Sequence, residues 1–396
     1  MAILSVNAGS SSLKFSIHRF HDHAVDSAWV SGCLQGLEPG GQPSLSWTLG
    51  GQAHEEVLPV DAGDGFAHAF GRLRDWLREL PDMPPLRAVA HRVVHGGADF
   101  SQATQLTPEV MERLSRLNSL APLHQPHNLA GVRAMMQAFP EVPQIACFDT
   151  AFHADVPPLH QRFGLPRALH DQGVRRYGFH GLSYQYILQC LQQHSTRADQ
   201  RLLLAHLGNG ASLCAVRAGR SLATTMGFSA LDGLMMGTRS GTLDPGVLLY
   251  LLEQGWDHAG IQRLLYKESG LLGVSGLSAD VRRLRASSSP DAQEALALFT
   301  HRVVREAGAM TACLQGLDVL AFSGGIGEHD ALLRADVCQA LGWLGVRMDD
   351  ALNRAARGDR VVPIHAKDST IEVWVIPTDE GRVAAQQALA WLEQAH

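Results

Sequence analysis

Runs of apolar residues that end in glycine and small polar residues occur three times along the chain, at Ile3–Lys14, Leu202–Ser212 and Val319–Glu328. Each pattern predicts a buried β-strand followed by a tight turn. Glycine tolerates positive φ and has no Cβ, so the backbone amides of such a turn can approach an anion closely. Any single one is more typical of an ordinary turn. Together the three predict one polyphosphate held from several sides.

The remaining hydrophobic pattern predicts the order of the other elements. Strands come first, followed by an alternation of helices and strands, and from Leu202 onward this order begins again. The recurrence favours an α/β protein made of two related halves. In the first half the pattern predicts strands at 2–7, 13–18, 28–36, 45–49, 88–94 and 144–148 and helices at Phe66–Leu80 and Pro108–Leu120. In the second half it predicts strands at Ser212–Arg217, Asp318–Ser323 and Glu372–Ile376 and helices at Pro245–Gln254, Ala259–Tyr266 and Ala292–Leu314.

Length, charge and cysteine spacing narrow the class of protein. A chain of 396 residues exceeds the size at which one hydrophobic core keeps growing, which predicts two domains. The formal net charge of -6 argues against a general nucleic-acid-binding protein, which would carry a basic face. The six cysteines are widely spaced without a Cys-x-x-Cys pair, and no apolar stretch approaches the length of a membrane span. We therefore expect a cytoplasmic protein without a zinc site, nucleic-acid partner or membrane partner.

Five polar residues at predicted strand ends or in glycine-rich loops are candidates for phosphoryl transfer, which requires cations around the phosphoryl oxygens. Arg92, Arg239 and His180 would supply these groups, since arginine can grip a carboxylate or phosphate through two parallel hydrogen bonds. Asp149 would orient an arginine or a metal-bound water, and Glu380 is a candidate ligand for Mg²⁺. A surface cation, a core histidine or a helix cap remains the alternative for each residue taken singly. The Walker pattern Gly-x-x-x-x-Gly-Lys-[Ser/Thr] does not occur, which disfavours a Walker-type NTPase.

Segments spread in order over nearly the whole chain resemble the acetate kinase family. They are NAGSSSLK at 7–14, HRVVHGG at 91–97, DTAFH at 149–153, RRYGFHG at 175–181, HLGNGAS at 206–212, GLMMGTRSG at 233–241, SGLLGVSGLSADVR at 269–282, FSGGIGEH at 322–329 and PTDE at 377–380. The resemblance implies an α/β fold with two ribonuclease-H-like (actin-like ATPase) domains around a central nucleotide cleft. It implies an N-terminal domain at 1–149 plus 381–396 and a C-terminal domain, carrying most of the nucleotide site, at 150–380.

The resemblance also implies an activity and roles for individual residues. The activity is reversible transfer of the γ-phosphoryl group of ATP to acetate, dependent on Mg²⁺ or on Mn²⁺ in its place, by a homodimer. Arg92 and Arg239 would hold the carboxylate and the transferring phosphoryl group. His180 would stabilise the transition state, and Asp149 would position the arginine and the metal-bound groups.

The resemblance also implies which residues form the metal site and the nucleotide site. Asn7 and Glu380 would serve the metal, with Ser10, Ser12 and Lys14 nearby. The residues that would bind the nucleotide are Lys14, His206, Leu207, Gly208, Asn209, Gly210, Asp280, Val281, Arg282, Gly325, Ile326, Gly327 and Glu328.

An acyl pocket would come from Val94, Leu123 and Phe179, although each of them is also typical of ordinary core packing. The run Ser229–Gly233 departs from the family's Thr-Pro-Leu-Glu-Gly, so Ala230 stands where a proline borders the acyl methyl group. Discrimination by one methylene is worth only about 1–3 kcal/mol. The preference among acetate, propionate and butyrate therefore stays open.

Two further departures follow the GFHG motif, where Leu182 and Tyr184 replace the usual threonine and histidine. No catalytic position departs from the family pattern, so activity is expected. The rival from another class is an actin-like nucleotide switch that binds ATP to change shape for a partner. Such a switch would share the glycine turns but would have no use for an apolar slot beside two arginines.

Overall fold

The computed structural model describes residues 1–9, 12–37, 41–58, 65–122 and 124–394. The chain forms two units: unit 1 consists of Met1–Ala151 and Asp379–His396, and unit 2 consists of Phe152–Thr378. Ser10 and Leu123, which the resemblance assigns to the metal site's surroundings and to the acyl pocket, lie outside the described residues. In the part of the chain that the structure describes, no helix is long and apolar enough to span a lipid bilayer.

Strands and helices are numbered here in chain order. The strands are β1 (Ala2–Ala8), β2 (Ser12–His21), β3 (Ala24–Gln35), β4 (Ser44–Leu49), β5 (Gln52–Val57), β6 (Leu86–Val93), β7 (Thr104–Gln105), β8 (Gln144–Phe148), β9 (Arg201–Leu207), β10 (Ala211–Arg217), β11 (Arg220–Thr224), β12 (Val319–Ser323), β13 (Val362–Pro363) and β14 (Glu372–Val375). The helices are α1 (Gly65–Glu79), α2 (Pro108–Ser115), α3 (Gln125–Ala138), α4 (Pro158–Gln161), α5 (Arg167–Asp171), α6 (Gly181–His194), α7 (Pro245–Glu253), α8 (His258–Lys267), α9 (Gly270–Ser275), α10 (Val281–Arg285), α11 (Pro290–Leu314), α12 (Gly324–His329), α13 (Ala331–Ala340), α14 (Asp350–Ala355) and α15 (Glu380–Gln394).

The sheet of unit 1 has the strand order β5-β4-β3-β2-β1-β6-β8-β7 within the described residues. Strand β1 pairs antiparallel with β2 and parallel with β6, and β6 pairs parallel with β8. Since parallel strands point the same way, the carboxyl ends of β1, β6 and β8 lie at one edge of the sheet. That edge carries the residues of unit 1 that the sequence singles out for chemistry.

The two faces of this sheet are covered by different helices. Leu4 and Val6 on β1 belong to a core that includes Phe70 and Trp76 of α1. The alternate residues of a strand point to the opposite face, and there Ser5 donates a hydrogen bond of 2.6 Å to the carbonyl oxygen of Gly381 in α15. Helix α15 therefore returns the end of the chain to the sheet with which the chain begins.

The sheet of unit 2 has the strand order β11-β10-β9-β12-β14-β13 within the described residues. Strand β9 pairs antiparallel with β10 and parallel with β12, and β12 pairs parallel with β14. The series β3-β2-β1-β6-β8 in unit 1 and the series β11-β10-β9-β12-β14 in unit 2 thus have the same order and the same strand directions. The repeated arrangement predicted from the apolar pattern is confirmed.

Two predicted elements are wrong in part. The segment after β12 is not a tight turn, because the chain enters helix α12 directly at Gly324, whose φ is 75°. Helix α2 ends at Ser115 rather than Leu120, because Leu117 and Asn118 donate their backbone N–H groups three residues back, to Leu114 and Ser115, which forms successive turns instead of helix. The glycine segment after β9 does form a turn, in which the N–H of Gly208 donates to the carbonyl oxygen of Gly210. In the segment after β1 the N–H of Gly9 donates to the carbonyl oxygen of Ser12, and residues 10 and 11 between them lie outside the described residues.

Candidate active site

Three charged side chains meet at the carboxyl edge of the sheet in unit 1, and we call Arg92, Asp149 and Glu380 the unit 1 charge cluster. Arg92 lies at the end of β6, and Asp149 directly follows the neighbouring parallel strand β8. The Arg92 guanidinium donates from Nε and Nη2 to the Asp149 carboxylate, at 3.1 and 2.7 Å. Its Nη1 lies 2.9 Å from Oε2 of Glu380, the first residue of α15. The sequence-predicted residues of unit 1 are therefore brought together.

The electrostatics of this cluster hold the arginine in its charged form. Burial alone would lower the pKa of Arg92, but the carboxylates of Asp149 and Glu380 outweigh burial and raise that pKa above its usual value. The Asp149 side chain is 1% exposed, whereas that of Arg92 is 18% exposed. The two carboxylates thus fix the orientation of the Arg92 guanidinium. Part of the arginine side chain remains accessible to solvent.

The predicted metal ligands of unit 1 fit Mg²⁺ in their chemistry but do not form a cage by themselves. Mg²⁺ takes oxygen ligands and is usually bound by one or two carboxylates together with phosphate oxygens and water. Glu380 offers a carboxylate and Asn7 an amide oxygen. Asn7 shares with Ser5 the face of β1 that meets α15, since residues two apart in a strand point the same way. No group of three or more histidine, cysteine, aspartate or glutamate side chains suited to a metal occurs among the described residues.

In unit 2, His180 and Arg239 both approach Gly210 of the Gly208–Gly210 turn. A Cβ atom placed on Gly210 would lie 3.2 Å from Nε2 of His180 and 3.5 Å from Nη2 of Arg239. The turn and the arginine loop are joined by a backbone hydrogen bond of 3.0 Å from Gly237 to the carbonyl oxygen of Asn209. Both side chains are 8% exposed. A Cβ atom here would be in ordinary contact with Arg239 and would crowd His180 slightly, so glycine gives the turn its closest approach to both groups.

A hydrogen bond to a neighbouring residue also holds each of these two side chains in place. His180 adopts a left-handed conformation (φ 60°) just before α6, and its Nδ1 lies 2.7 Å from Oγ of Ser212 on β10. Its ring packs on the ring of His206, with centroids 4.3 Å apart. Arg239 donates from Nη1 to the carbonyl oxygen of Ala230 at 2.9 Å. Nε2 of His180 and Nη2 of Arg239 are therefore directed towards the glycine turn.

A pocket of about 880 Å³ within unit 2 adjoins the same turn. Its lining includes the sequence-predicted residues Gly208, Asn209, Asp280, Val281, Arg282, Gly325 and Ile326. The residues His206, Leu207, Gly210, Gly327 and Glu328 are not among its lining, and Lys14 belongs to unit 1. Its lining also includes Arg285, His329 and Asp330, which sequence reasoning did not select, although His329 lies inside the quoted motif FSGGIGEH.

Asp280, which lines this pocket, is bonded to Arg282, another lining residue. Its Oδ1 accepts from the backbone N–H of Arg282 at 2.8 Å, which caps α10, and its Oδ2 accepts from Nη2 of the same arginine at 2.7 Å. These bonds lower the pKa of Asp280 to about 2. Because the Arg282 side chain is 91% exposed, it can reorient towards a ligand without breaking the cap.

The carboxylate of Glu328 accepts hydrogen bonds from two backbone amides. Its Oε1 accepts from the N–H groups of Gly324 and Thr378 at 2.8 and 3.0 Å. Burial raises the pKa of this carboxyl group, while the two amides lower it in part. The side chain thus holds the glycine segment at the start of α12 in place rather than facing the pocket.

Sequence reasoning missed a second residue that supports this segment, Arg334. It is fully buried, and its guanidinium donates to the carbonyl oxygens of Gly327 and Glu328 at 2.9 and 2.8 Å. On its other side it donates to the side chain of Asn353 and to the carbonyl oxygens of Asn353 and Ala356. An arginine in the middle of α13 gives no sequence signal for such a role, because a surface arginine has the same pattern.

Two of the residues predicted to form the acyl pocket, Val94 and Phe179, are buried. Burial is expected both for an acyl pocket and for ordinary core packing. Val94 in unit 1 is 6% exposed and Phe179 in unit 2 is 1% exposed. The backbone N–H of Val94 donates to Asn128, and the carbonyl oxygen of Phe179 lies 2.9 Å from Nε2 of His153. These contacts fix both backbones, so an acyl pocket stays a prediction.

Comparison with known proteins gives the family of the chain. The family model described as "Acetokinase family" matches residues 2–386. The chain belongs to the acetokinase family. An acetate kinase of Rhodopseudomonas palustris is 47% identical over 397 aligned residues, which cover 97% of this chain and 96% of that protein.

Solved structures place the fold within the acetokinase family as well. A propionate kinase from Francisella tularensis superposes with a TM-score of 0.89 at 35% identity, and 98% of each chain is covered. An acetate kinase from Porphyromonas gingivalis superposes with a TM-score of 0.86 at 34% identity, and 99% of each chain is covered. The chain is therefore an enzyme of the acetokinase family with the mixed α/β fold of two actin-like ATPase domains, as predicted from its sequence.

Proposed function

We propose that this protein transfers the γ-phosphoryl group of ATP to acetate, reversibly, forming acetyl phosphate and ADP. The observation that carries the proposal is that the Gly208–Gly210 turn both lines the pocket of unit 2 and meets His180 and Arg239. A nucleoside held in the pocket would extend its phosphates along the amides of this turn. The name of the Rhodopseudomonas palustris relative supports acetate as the acceptor.

Direct transfer in line from ATP to acetate suits these residues. Acetate is already an anion at neutral pH, so its oxygen needs no general base before it attacks phosphorus. The enzyme must then neutralise charge and align two anions. Arg239 and His180 would donate to the transferring phosphoryl group, and Arg92, held by Asp149 and Glu380, would bind the carboxylate.

Mg²⁺, or Mn²⁺ in its place, would be held by the Glu380 carboxylate and the Asn7 amide oxygen together with phosphate oxygens. When bound, the cation would neutralise phosphate charge during transfer. The residues themselves bind and orient the two substrates, and their burial limits access of water to the reacting group.

The function is tested by following ATP in the presence and absence of acetate. With acetate and Mg²⁺, we expect acetyl phosphate, trapped as the hydroxamate, in an amount equal to the ADP formed. An actin-like nucleotide switch would consume ATP at the same rate whether or not acetate is added, and it would form no acyl phosphate. That second result would contradict the proposal.

A propionate or butyrate kinase is the second candidate, and one observation favours it. Ala230, the small residue in place of the family's proline, contacts Arg239 through its carbonyl oxygen. The solved propionate kinase is also similar to this chain. A smaller side chain beside Arg239 would leave space for a longer acyl chain.

The replacement Ala230→Pro is expected to shift the ratio of kcat/KM for acetate over propionate by about tenfold in favour of acetate. Proline keeps the carbonyl group that accepts from Arg239, so the arginine should stay in place. The measurement is steady-state hydroxamate formation with acetate, propionate and butyrate. Ser229→Thr, which introduces the neighbouring family residue, serves as the matched control and should leave the ratio unchanged. An unchanged ratio in Ala230→Pro would show that this position does not border the acyl group.

A homodimer is supported by the apolar surface of α7. This nine-residue helix buries none of its side chains, although Leu249, Tyr250 and Leu252 are 63%, 58% and 53% exposed. Leu243 and Trp256, on either side of the helix, are also exposed. A helix this short is marginal without packing, and an apolar surface of this kind is typical of an interface. We therefore propose α7 as the subunit interface, with a second copy of the chain as its partner.

Leu249→Asp is expected to convert the dimer into monomers, since it would bury a carboxylate in an apolar contact. Light scattering after gel filtration should give the mass of two 42.9 kDa chains for the wild type and of one chain for the variant. Leu352→Asp, at an exposed leucine of α14, is the control and should stay dimeric. A dimeric Leu249→Asp protein would exclude α7 from the interface.

A further inference from the structure

Tyr184, where the family usually has histidine, lies behind His180 in unit 2. It is on α6, one turn after His180, and its side chain is fully buried. The phenol oxygen lies 2.5 Å from Oγ of Ser212, which in turn lies 2.7 Å from Nδ1 of His180. Ser212 is fully buried as well. A chain of hydrogen bonds therefore connects the phenol, the serine hydroxyl and the imidazole.

The direction of this chain follows from counting donors and acceptors. The phenol oxygen also receives a hydrogen bond from the backbone of His206. If Tyr184 donates to Ser212 and Ser212 donates to Nδ1 of His180, both hydroxyl protons have an acceptor. If Nδ1 donated instead, one of the two buried hydroxyl protons would lack an acceptor among the described residues, and leaving a buried donor unsatisfied is unfavourable.

The phenol carries the proton that a donor to Ser212 needs. Burial raises the pKa of Tyr184 well above its usual value, so the hydroxyl keeps its proton at neutral pH. A histidine at the same position could donate or accept, depending on its tautomer. The other titratable groups that face this chain are His206, whose ring packs on that of His180, and Arg239, which also approaches Gly210. Cys214 lies beside Tyr184, and the ring of His153 packs on that of Tyr184 with centroids 5.8 Å apart.

We infer that Tyr184 is a positioning residue which, through Ser212, holds His180 as the neutral tautomer with its proton on Nε2. That nitrogen is the one that faces Gly210, 3.2 Å from the position of a Cβ on this glycine. The proton is thus directed towards the glycine turn, where it can be donated to a phosphoryl oxygen. The inference deepens the proposed function and rests on it for the role of His180.

The test combines ¹⁵N NMR of histidine-labelled protein with kinetics. The His180 signals are assigned as those lost in His180→Asn. In the wild type at neutral pH we expect a protonated Nε2 and an unprotonated Nδ1, and in Tyr184→Phe a mixture of tautomers. Tyr184→Phe should lower kcat about tenfold while the KM values for ATP and acetate change less than about twofold. Tyr184→His, which again offers a donor, should restore part of kcat.

Tyr177→Phe is the matched control. It removes a phenol hydroxyl that is bonded to the carbonyl oxygen of Gly173 at 2.8 Å and does not touch Ser212. It should leave both kcat and the His180 signals unchanged.

Two results would overturn the inference. One is a wild-type spectrum in which Nδ1 of His180 carries the proton, and this result needs no folded Tyr184 variant. The other is a Tyr184→Phe protein whose His180 tautomer and kcat both equal those of the wild type. Failure of the proposed function would look different, because the expected tautomer would then be found in a protein that forms no acetyl phosphate.

Discussion

Replacing Arg239 with alanine is expected to reduce kcat for acetyl phosphate formation by about a thousandfold or more, the usual effect of losing an arginine that stabilises a transferring phosphoryl group. Arg239 is held close to the Gly208–Gly210 turn by its bond to Ala230. The backbone bonds of its loop, from Met236 to the carbonyl oxygen of Arg239 and from Gly237 to Asn209, do not involve the side chain. The fold should therefore survive, which steady-state hydroxamate assays and circular dichroism would check together.

Arg263→Ala is a suitable control, because Arg263 is an exposed arginine of unit 2 paired with Glu268 at 2.9 Å. Near-wild-type turnover in Arg239→Ala would refute the assignment of this side chain to the reacting group. Arg92→Ala should also be nearly inactive, but it is a less direct test. It would leave the almost fully buried Asp149 without its cation, and breaking such a pair typically costs about 3–5 kcal/mol of stability.

Replacing Arg334 with methionine is expected to lower the free energy of unfolding of unit 2 by about 3 kcal/mol or more. Methionine fills much of the same volume but donates no hydrogen bond, so carbonyl oxygens of Gly327, Glu328, Asn353 and Ala356 would lose their buried partner. Because two of these carbonyls end α12, the glycine segment of the pocket should also loosen. Chemical denaturation followed by far-ultraviolet circular dichroism measures the first effect, and ATP binding by calorimetry measures the second.

The control for this change is Arg347→Met. Arg347 is 66% exposed, and its distance to Asp368 is 3.5 Å, so its ion pair should contribute no more than about 1 kcal/mol. A similar unfolding midpoint for Arg334→Met and Arg347→Met would contradict the structural role given to Arg334.

The central strands were predictable because their patterns are strong. Strands β1, β9 and β12 pair parallel with a neighbour and are buried on both faces, and such strands consist almost entirely of apolar residues. The end of β8 at Asp149 and the end of β6 near Arg92 follow from the same pattern. The adjacency of these two residues then follows from the pairing of parallel strands, which the recurring order of elements suggests.

Helix α3 shows what a periodic pattern cannot predict. Seven of its fourteen residues are buried, including Gln125, Asn128 and Gly131, so the helix has no apolar stripe that contrasts with a polar one. Its Asn128 accepts from the N–H of Val94 at 3.0 Å and donates to the carbonyl oxygen of Ala8 at 2.6 Å. Bonds between residues so distant in sequence leave no local signal. The contacts of Arg334 and of Tyr184 could not be predicted for the same reason, because their partners are distant in sequence.

Helix α15 has a consequence for biosynthesis. It is translated after unit 2, yet its Val383 and Ala384 are buried in unit 1 and Ser5 is bonded to its first turn. Domains usually fold in the order in which they emerge, but unit 1 must wait for unit 2 to be translated before its sheet is covered on both faces. The nascent chain therefore exposes one apolar face of its first sheet until α15 emerges, and Arg92 acquires its partner Glu380 only then.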